Sequence, residues 1–195
     1  MHAQLIVFDL GGVLVSLGRP AEQMELGMSD EAFWSFWLNS ATVTALETGA
    51  ITETEFFERF PGELGVSESG REFRQRFLRW RLALFPGVVD MLRDIGETHK
   101  VALLSNTNPI HWNMIDSDGS FRRLFDHVFL SFEIGIVKPH CSIFEHILSA
   151  VQMDPGRVVF LDDTAKNVEA AANMGFHSLH VTGPINAKQK LGLVD

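Results

Sequence analysis

The sequence predicts an α/β protein in which a parallel sheet is flanked by helices and interrupted by an all-helical insert. Two observations carry this prediction. Short apolar runs alternate with amphipathic helical patterns from residue 85 onward, and this alternation is typical of βαβ units that build a parallel sheet. Residues 16–84, by contrast, are helical in pattern throughout, although they follow the first apolar run and its glycine turn. The chain is therefore expected to combine one sheet with one helical insertion.

Each predicted strand is a short run rich in Val, Leu, Ile or Phe. Runs of this kind are typical of strands that are covered by helices on both faces. The predicted strands are Leu5–Phe8, Val101–Leu104, Val128–Leu130, Val158–Leu161 and Ser178–Val181. Because strand–helix–strand crossovers produce parallel strands, the carboxyl ends of these strands should meet at one edge of the sheet.

Helical patterns separate the later strands. Pro86-Gly87 precedes the first of these helices, and Gly175 follows the last, where a glycine commonly ends a helix in a left-handed conformation. The predicted helices are Val88–Glu97, Ile110–Ile115, Ser142–Val151 and Ala165–Met174.

The stretch of residues 16–84 shows helix starts and aromatic stripes but no convincing strand. Ser29 is a candidate N-cap, and Thr52 to Glu55 fits a capping box. One long helix is predicted from an apolar stripe at helical spacing, formed by Phe73, Phe77, Trp80 and Leu84. We expect the aromatic residues to form the core of this stretch, with a substrate-facing surface or a dimer contact as the alternative.

Composition indicates a globular protein of one domain, or of one domain with an inserted module. The chain has 195 residues, of which 46% are hydrophobic and 21% are charged. The formal net charge of −9 argues against a nucleic-acid partner, because proteins that bind nucleic acids need a basic surface. No basic leader or long apolar segment opens the sequence, so we expect a cytoplasmic protein without a membrane partner. The sequence contains one cysteine, Cys141, so an intrachain disulfide cannot form. We expect Cys141 to be a small buried residue.

The clearest candidate for chemistry is Asp9, which directly follows the first strand. Gly11 and Gly12 turn the chain just after it. A carboxylate is thereby held at the carboxyl end of a strand, which is where open α/β sheets bind their ligands.

The run from Phe8 to Leu14, Phe-Asp-Leu-Gly-Gly-Val-Leu, resembles the first motif of the haloacid dehalogenase-like (HAD) superfamily. The resemblance implies that Asp9 is a covalent nucleophile. Phosphatases of the family usually carry a second aspartate two positions later, which acts as acid and base. This chain has Gly11 at that position, so the resemblance leaves open which group, if any, transfers protons.

Two further motifs, which concern phosphate binding, follow the next strands in the family's order. Ser105 and Asn106 match the second motif, in which a hydroxyl and the next backbone N–H hold a phosphoryl oxygen; such a turn is a neutral anion cradle. Lys138 matches the third motif, and its charge would neutralise Asp9 and the incoming phosphate. The resemblance also implies a phosphate contact from Gly12.

Asp162 and Asp163 close another apolar strand and match the family's fourth motif. Two adjacent carboxylates at a strand end are costly unless a partner neutralises them, and Mg²⁺ prefers oxygen ligands of this kind. The family's metal set would comprise the Asp9 carboxylate, the backbone carbonyl of Gly11, and Asp162 with or instead of Asp163. The resemblance also implies that Asn167 supports these ligands.

The resemblance therefore implies a Rossmann-like core and an inserted helical cap of the C1 type. The core is expected to comprise residues 1–15 and 85–195, and the cap residues 16–84. The implied activity is Mg²⁺-dependent hydrolysis of a small phosphomonoester, such as a sugar 1-phosphate, through an aspartyl-phosphate. The run Leu-Ser-Asn-Thr-Asn at residues 104–108 resembles the α-D-glucose-1-phosphate phosphatase-like branch, which shares a glycine in place of the second aspartate.

Two other functions stay open. A 2-haloacid dehalogenase would use Asp9 to attack carbon without a metal, but such enzymes generally lack the acidic fourth motif, so Asp162 and Asp163 argue against it. A catalytically impaired protein of the same fold would bind a phosphorylated ligand or a protein partner, which Gly11 permits. The sequence does not indicate the oligomeric state.

Other polar residues have both a structural and a functional interpretation. His111 could transfer a proton in place of the missing aspartate, although packing or capping is more common for a histidine in such a position. Thr164 is expected to cap the helix that follows it. Five arginines are expected to lie on a solvated helix face, with a contact to a substrate anion as the alternative. They are Arg71, Arg74, Arg76, Arg79 and Arg81. A structural role, without metal-ligand spacing, is predicted for His140, His146, His177 and His180.

Overall fold

A computed structural model describes residues 3–193 of the chain. The strands are β1 (Leu5–Phe8), β2 (Val15–Ser16), β3 (Ala83–Leu84), β4 (Lys100–Ser105), β5 (His127–Leu130), β6 (Val158–Asp162) and β7 (His177–His180). A five-stranded sheet has the order β5-β4-β1-β6-β7, and every neighbouring pair in it is parallel. The predicted α/β class and all five predicted strands are confirmed, with small shifts at the strand ends.

Helices follow the strands of this sheet and also fill the stretch between β2 and β3. They are α1 (Pro20–Gln23), α2 (Asp30–Asn39), α3 (Ala41–Glu47), α4 (Glu53–Glu63), α5 (Gly70–Phe77), α6 (Val88–Gly96), α7 (Pro109–Ile115), α8 (Ser131–Ile134), α9 (Cys141–Val151), α10 (Ala165–Asn173) and α11 (Gly183–Leu191). The four helices predicted after residue 85 are confirmed as α6, α7, α9 and α10, whereas α8 and α11 were not predicted. No helix within residues 3–193 has the length and apolar character needed to cross a membrane.

The sheet residues alternate between two apolar cores. Ile6 and Phe8 of β1 pack in a core shared with α6, α7 and α11. Leu5 and Val7 pack in a second core shared with α9 and α10. Both faces of the sheet are therefore covered by helices, which explains why the strands appear in the sequence as unbroken apolar runs.

The register of β1, the central strand, brings the polar strand ends together. Phe8 pairs with Leu103 of β4 on one side and with Leu161 of β6 on the other. Asp9 and Asp162 are the next residues along β1 and β6, so their side chains emerge at the same edge of the sheet. This is the edge at which the sequence predicts the chemistry.

The helical insert, which we define as α1–α5, lies between β2 and β3. These two strands pair antiparallel, with Val15 opposite Leu84, so the chain leaves the sheet region and returns to it at one place. This short ladder corrects the prediction that residues 16–84 contain no strand. Each strand is two residues long, which is too short to produce an alternation in the sequence. The division of the chain into a core and a cap remains a prediction.

The interior of the helical insert is an aromatic cluster, as predicted. Its buried members are Phe33, Trp37, Phe56, Phe57, Phe60, Phe73, Phe77 and Trp80. The rings pack edge to face or stacked, with Trp37 and Trp80 at 5.1 Å and 87° and Phe56 and Phe60 at 4.7 Å and 22°. The predicted N-cap at Ser29 is present. So is the predicted capping box of α4, which holds this helix at its N-terminus.

The predicted long helix from Phe73 to Leu84 is wrong, because α5 ends at Phe77. Trp80 follows in a turn, where its indole N–H donates to the Leu17 carbonyl oxygen at 2.7 Å. Leu84 belongs to β3. The apolar spacing continues past the helix end because Trp80 still packs into the aromatic cluster, although it reaches that position from a turn.

Candidate active site

Three acidic residues and one lysine meet at the carboxyl edge of the sheet. Asp9 follows β1, Asp162 ends β6, Asp163 comes next, and Lys138 lies in the loop between α8 and α9. Asp9, Lys138 and Asp162 are 7%, 4% and 0% exposed. The structure thus brings together residues that are far apart in the sequence and that match three different motifs.

The Lys138 ammonium lies between two carboxylates. Its Nζ donates to Asp9 Oδ1 at 2.5 Å and to Asp162 Oδ2 at 2.6 Å. A longer contact, at 3.3 Å, joins Nζ to the Leu104 carbonyl oxygen. A buried charge is tolerated only with such partners, so these three groups form one electrostatic unit.

Burial and the neighbouring charges shift the pKa values of this unit. Burial raises the pKa of Asp9, the charge of Lys138 opposes the rise, and the charges of Asp162 and Asp163 add to it, so the pKa is about 7. Burial alone would lower the pKa of Lys138, but attraction to Asp162 and Asp9 outweighs it and raises the pKa above its usual value. Burial and the charge of Asp162 also raise the pKa of Asp163. Lys138 is therefore a permanent cation that neutralises only part of the acidic group.

Asp162 is held by neighbours on its own loop and on α10. It accepts from the backbone N–H of Thr164 at 2.8 Å, and the Asn167 amide donates to its two oxygens at 3.0 and 3.1 Å. Asn167 thus supports the acidic residue in the way the sequence analysis expected. Thr164 occupies the N-cap position of α10 without a side-chain cap bond, which corrects the capping prediction. Its hydroxyl instead donates to Asp163 Oδ1 at 3.3 Å.

Gly12 lets the turn after Asp9 pass close to Asp163. Its φ is +69°, and a Cβ at this position would lie 2.0 Å from Asp163 Oδ2. The Gly12 N–H donates to the Val15 carbonyl oxygen, and the Gly12 carbonyl accepts from the Gly183 N–H, both at 2.8 Å. The Gly12 backbone is therefore already engaged within the chain, and a phosphate contact from it stays a prediction.

Gly11 lies beside an apolar side chain. A Cβ at Gly11 would lie 3.2 Å from Leu17 Cδ2. The position at which the family's phosphatases carry their second aspartate is thus lined by a leucine, and a larger residue there would have to displace this flexible side chain.

Ser105 is the last residue of β4, and Asn106 follows it next to the lysine. Ser105 is 2% exposed, and its hydroxyl lies 3.3 Å from the Asn106 carbonyl oxygen. The Asn106 side chain binds the main chain of Lys138: its Nδ2 donates to the Lys138 carbonyl at 2.9 Å, and its Oδ1 accepts from the Lys138 N–H at 2.8 Å. Sequence reasoning missed this contact, because the motif indicated only the Asn106 backbone N–H. The amide side chain anchors the backbone of the lysine beside β4.

The acidic residues fit a divalent cation. Asp9, Asp162 and Asp163 each offer a carboxylate oxygen, and these oxygens lie within 4.8 Å of one another. Three carboxylates face one ammonium group; burial is the largest cause of the raised pKa values of Asp9 and Asp163, and repulsion from Asp162 adds to both. Hard cations such as Mg²⁺ prefer oxygen ligands, so both the charge and the donor type match.

His111 lies inside the aromatic cluster. Its ring stacks on Phe77 at 5.2 Å and 12°, and it meets Trp80 edge to face at 4.4 Å. The ring Nδ1 lies 3.1 Å from the Asn108 amide nitrogen. Burial lowers the pKa of His111 to about 3, so the ring is uncharged at neutral pH. The geometry therefore favours packing over proton transfer.

The arginines near α5 pair with acidic residues of the helical insert. Arg74 contacts Glu53 at 2.7 Å, and Arg79, which lies beyond the end of α5, contacts Glu25 at 3.0 Å. These two exposed pairs fit the interpretation of a solvated surface, whereas Arg76 pairs with Glu68 in a partly buried contact. Cys141 is exposed at the first residue of α9, which corrects the expectation that it is buried.

Glu47, an acidic residue of the helical insert, was not among the site residues predicted from the sequence. Glu47 is the last residue of α3 and is partly buried. Burial raises its pKa to about 7, while a hydrogen bond from Trp37 and the positive charge of Lys138 oppose the rise. A single glutamate at the end of an apolar helix matches no motif, so the sequence carried no signal for it.

The protein is thus an α/β protein in which a buried lysine lies between two carboxylates at the carboxyl edge of a parallel sheet. Residues 3–175 match the haloacid dehalogenase-like hydrolases, and the chain belongs to this family.

Relatives of known activity or structure cover nearly the whole chain. The D-ribitol-5-phosphate phosphatase of Bacteroides thetaiotaomicron is 26% identical over 97% of both chains. The sesquiterpene phosphatase astK of Aspergillus oryzae is 26% identical over 90% of this chain and 88% of its own. A HAD family enzyme from Bacteroides thetaiotaomicron has a solved structure that covers 98% of this chain and 99% of its own, with 25% identity and a TM-score of 0.82. The same enzyme in complex with magnesium and inorganic phosphate is 26% identical, with a TM-score of 0.77 over 92% of this chain and 94% of its own.

Proposed function

We propose that this protein is a Mg²⁺-dependent phosphatase that hydrolyses a small phosphomonoester through an aspartyl-phosphate on Asp9. The observation that carries the proposal is the ammonium of Lys138, 2.5 Å from Asp9 and 2.6 Å from Asp162, within an acidic group that remains short of positive charge. Similarity to a D-ribitol-5-phosphate phosphatase and to a sesquiterpene phosphatase supports phosphate-ester hydrolysis. The magnesium and phosphate complex of a similar enzyme supports the cofactor.

In the first step a carboxylate oxygen of Asp9 attacks phosphorus in line with the leaving oxygen. Lys138 orients this carboxylate through its hydrogen bond and favours the ionised form. Its charge also stabilises the phosphoryl oxygens, which is where most catalysis of phosphoryl transfer lies. Ser105 and the backbone N–H of Asn106 bind one of these oxygens. Water then cleaves the aspartyl-phosphate and releases phosphate.

The acidic residues and the helical insert complete the proposed enzyme. Mg²⁺, when held by Asp9, the Gly11 carbonyl and Asp162 or Asp163, supplies further positive charge to the phosphoryl group. The helical insert acts as a cap that selects the leaving group and excludes bulk water. The proposed substrate class is a small sugar phosphate, and similarity to an enzyme named for a sugar-alcohol phosphate supports this class.

Replacement of the nucleophile tests the proposal. Asp9→Asn should reduce the hydrolysis of p-nitrophenyl phosphate and of sugar phosphates below detection, because the amide keeps the shape but cannot attack phosphorus. Asp94→Asn, on the exposed side of α6, is the matched control and should keep the wild-type rate. Turnover by the Asp9→Asn protein at a tenth of the wild-type rate would reject covalent catalysis at Asp9.

Metal removal separates the proposal from its alternatives. Excess EDTA should abolish phosphatase activity, and added Mg²⁺ should restore it. Halide release from 2-chloropropionate in the presence of EDTA would instead indicate a dehalogenase. Absence of turnover on every phosphate ester, together with tight binding of inorganic phosphate, would indicate a binding protein.

A further inference from the structure

The proposed reaction needs a proton donor that the strand end around Asp9 does not supply. The leaving oxygen of an alkyl phosphate departs as a strongly basic alkoxide unless a group protonates it. Position 11 is a glycine beside Leu17, and a Cβ there would lie 3.2 Å from that side chain. His111 is uncharged at neutral pH and enclosed by aromatic rings. A donor, if it comes from this chain, must therefore come from another element.

The end of α3 lies against the segment of the chain that leads to Lys138. A Cβ at Gly49, which has a φ of +67°, would lie 2.5 Å from the Phe132 carbonyl oxygen of α8. A Cβ at Gly135, at the other end of α8, would lie 3.9 Å from the Thr48 carbonyl oxygen. The two residues that follow Glu47 are thus packed along α8, only a few residues before the lysine. Gly49 permits a backbone approach that no other residue would allow.

We propose that Glu47 is the acid–base residue of the phosphatase reaction and takes the role that Gly11 leaves without a carboxyl group. The inference rests on the proposed function. It assigns a chemical task to the helical insert, which would then supply the proton donor as well as the selection of the leaving group.

The surroundings of Glu47 suit this task. Trp37, which belongs to the aromatic cluster, and Lys138, at the edge of the sheet, are the two groups that favour the ionised form of Glu47 against its burial. Two neighbouring titratable groups are accounted for. Glu133 of α8 accepts a hydrogen bond from Arg122 at 2.7 Å, and the ring of His111, beside Trp37, is neutral. A carboxyl group whose pKa is about 7 is divided between its acid and base forms at neutral pH, which is the condition for efficient proton transfer in both directions.

The two proton transfers balance over one turnover. In the first step the Asp9 oxygen forms a bond to phosphorus, the bond between phosphorus and the leaving oxygen breaks, and the Glu47 proton moves to that oxygen to give the free alcohol. In the second step water attacks the same phosphorus, Glu47 accepts a proton from the water, and the bond from phosphorus to Asp9 breaks. Phosphate, the Asp9 carboxylate and protonated Glu47 result.

The test is the dependence of kcat/KM on the acidity of the leaving group, measured over a series of substituted aryl phosphates and one alkyl phosphate with Mg²⁺ present. Glu47→Gln keeps the shape of the side chain and removes the proton. We expect a loss of roughly 10²–10⁴-fold on the alkyl ester and a loss that shrinks steadily as the leaving group becomes more acidic. Glu58→Gln, on the exposed side of α4, is the matched control and should follow the wild-type line.

The outcomes separate this inference from the proposed function. A steeper dependence on leaving-group pKa in Glu47→Gln supports the acid–base role. An equal loss on all esters means that Glu47 only maintains the structure, and no loss means that it has no role; either result overturns the inference and leaves the phosphatase proposal standing. Absence of wild-type turnover on all esters would overturn both.

Discussion

The two buried clusters of this protein, one charged and one aromatic, are built in opposite ways. At the edge of the sheet, one ammonium group is shared between Asp9 and Asp162 within an acidic group. In the helical insert, eight buried aromatic rings pack against one another, and the uncharged ring of His111 packs among them. Burial of charge costs free energy unless every charge is compensated, whereas burial of aromatic surface stabilises the fold directly. We therefore expect substitutions in the charged cluster to affect activity most and substitutions in the aromatic cluster to affect stability most.

Of the substitutions that compare the two clusters, Lys138→Met should have the largest effect, and it tests the charged cluster. Removal of the cation should lower kcat/KM by about 10³-fold or more, because the phosphoryl oxygens lose their charged partner. It also leaves Asp9 and Asp162 buried without compensation, which should cost roughly 3–5 kcal/mol in the free energy of unfolding. Urea unfolding and steady-state kinetics measure the two effects. Lys100→Met, at the exposed start of β4, should change neither. A stable and active Lys138→Met protein would contradict the electrostatic unit described above.

The aromatic cluster should show the reverse pattern. Phe77 is fully buried and contacts Trp37, Phe56 and His111, so Phe77→Ala should cost about 3–5 kcal/mol through lost contacts and a new cavity. At a temperature at which the variant is still folded, its kcat should remain near that of the wild type. Leu38→Ala, at a leucine that is 75% exposed on α2, is the control and should change stability by less than about 0.5 kcal/mol. A kcat loss as large as that of Lys138→Met would show that the two clusters are not independent.

The sheet and most of the charged cluster could be predicted from the sequence because their signals are local. A short apolar run followed by an acidic residue reveals both a strand and the position of a side chain at its end. Asp9 and Asp162 were found in this way, and parallel pairing then brings them together without further information. Asn167, by contrast, was expected to be a supporting residue only because of the resemblance to the family.

Other features depend on contacts between distant segments and had no local signal. The Asn106 amide binds the main chain of Lys138, and α7, β5 and α8 lie between these two residues in the sequence. Glu47 becomes relevant only because α3 packs on α8. Trp80 is buried in the aromatic cluster, as its spacing from Phe73 and Phe77 predicted. However, α5 ends before Trp80, and its indole N–H donates to the Leu17 carbonyl oxygen from a turn. Sequence periodicity reports which face is buried and does not report where a helix ends.

A smaller effect, dependent on pH, should come from His111 within the aromatic cluster. Its pKa is about 3 in the folded protein and about 6.5 in an unfolded chain, so between these values the unfolded chain binds a proton that the folded protein does not. Stability should therefore fall as the pH is lowered through this window, by up to about 1.4 kcal/mol per pH unit from this group.

The comparison of wild type with His111→Phe isolates that contribution. Urea unfolding at several pH values between 6.5 and 4.5 should give a shallower decline for the variant, because carboxyl groups titrate in both proteins and their effect cancels in the difference. Parallel curves for the two proteins would mean that His111 is protonated in the folded state and that the aromatic cluster admits a charge.

The smallest expected effect concerns α3, the helix that joins the two clusters. Ser40 is 6% exposed and caps α3 by accepting from the Val43 N–H at 3.2 Å, while its hydroxyl donates to Glu63 at 2.8 Å. Ser40→Ala removes both bonds and should cost about 1 kcal/mol in the free energy of unfolding. Ser35→Ala, on the exposed side of α2, is the control and should be neutral within a few tenths of a kcal/mol.

Because Glu47 lies at the opposite end of α3, the kinetics of Ser40→Ala are as informative as its stability. A cap bond that only stabilises the insert leaves kcat/KM unchanged at 25 °C, whereas a selective loss on esters with basic leaving groups would show that the N-terminus of α3 also positions the proposed proton donor.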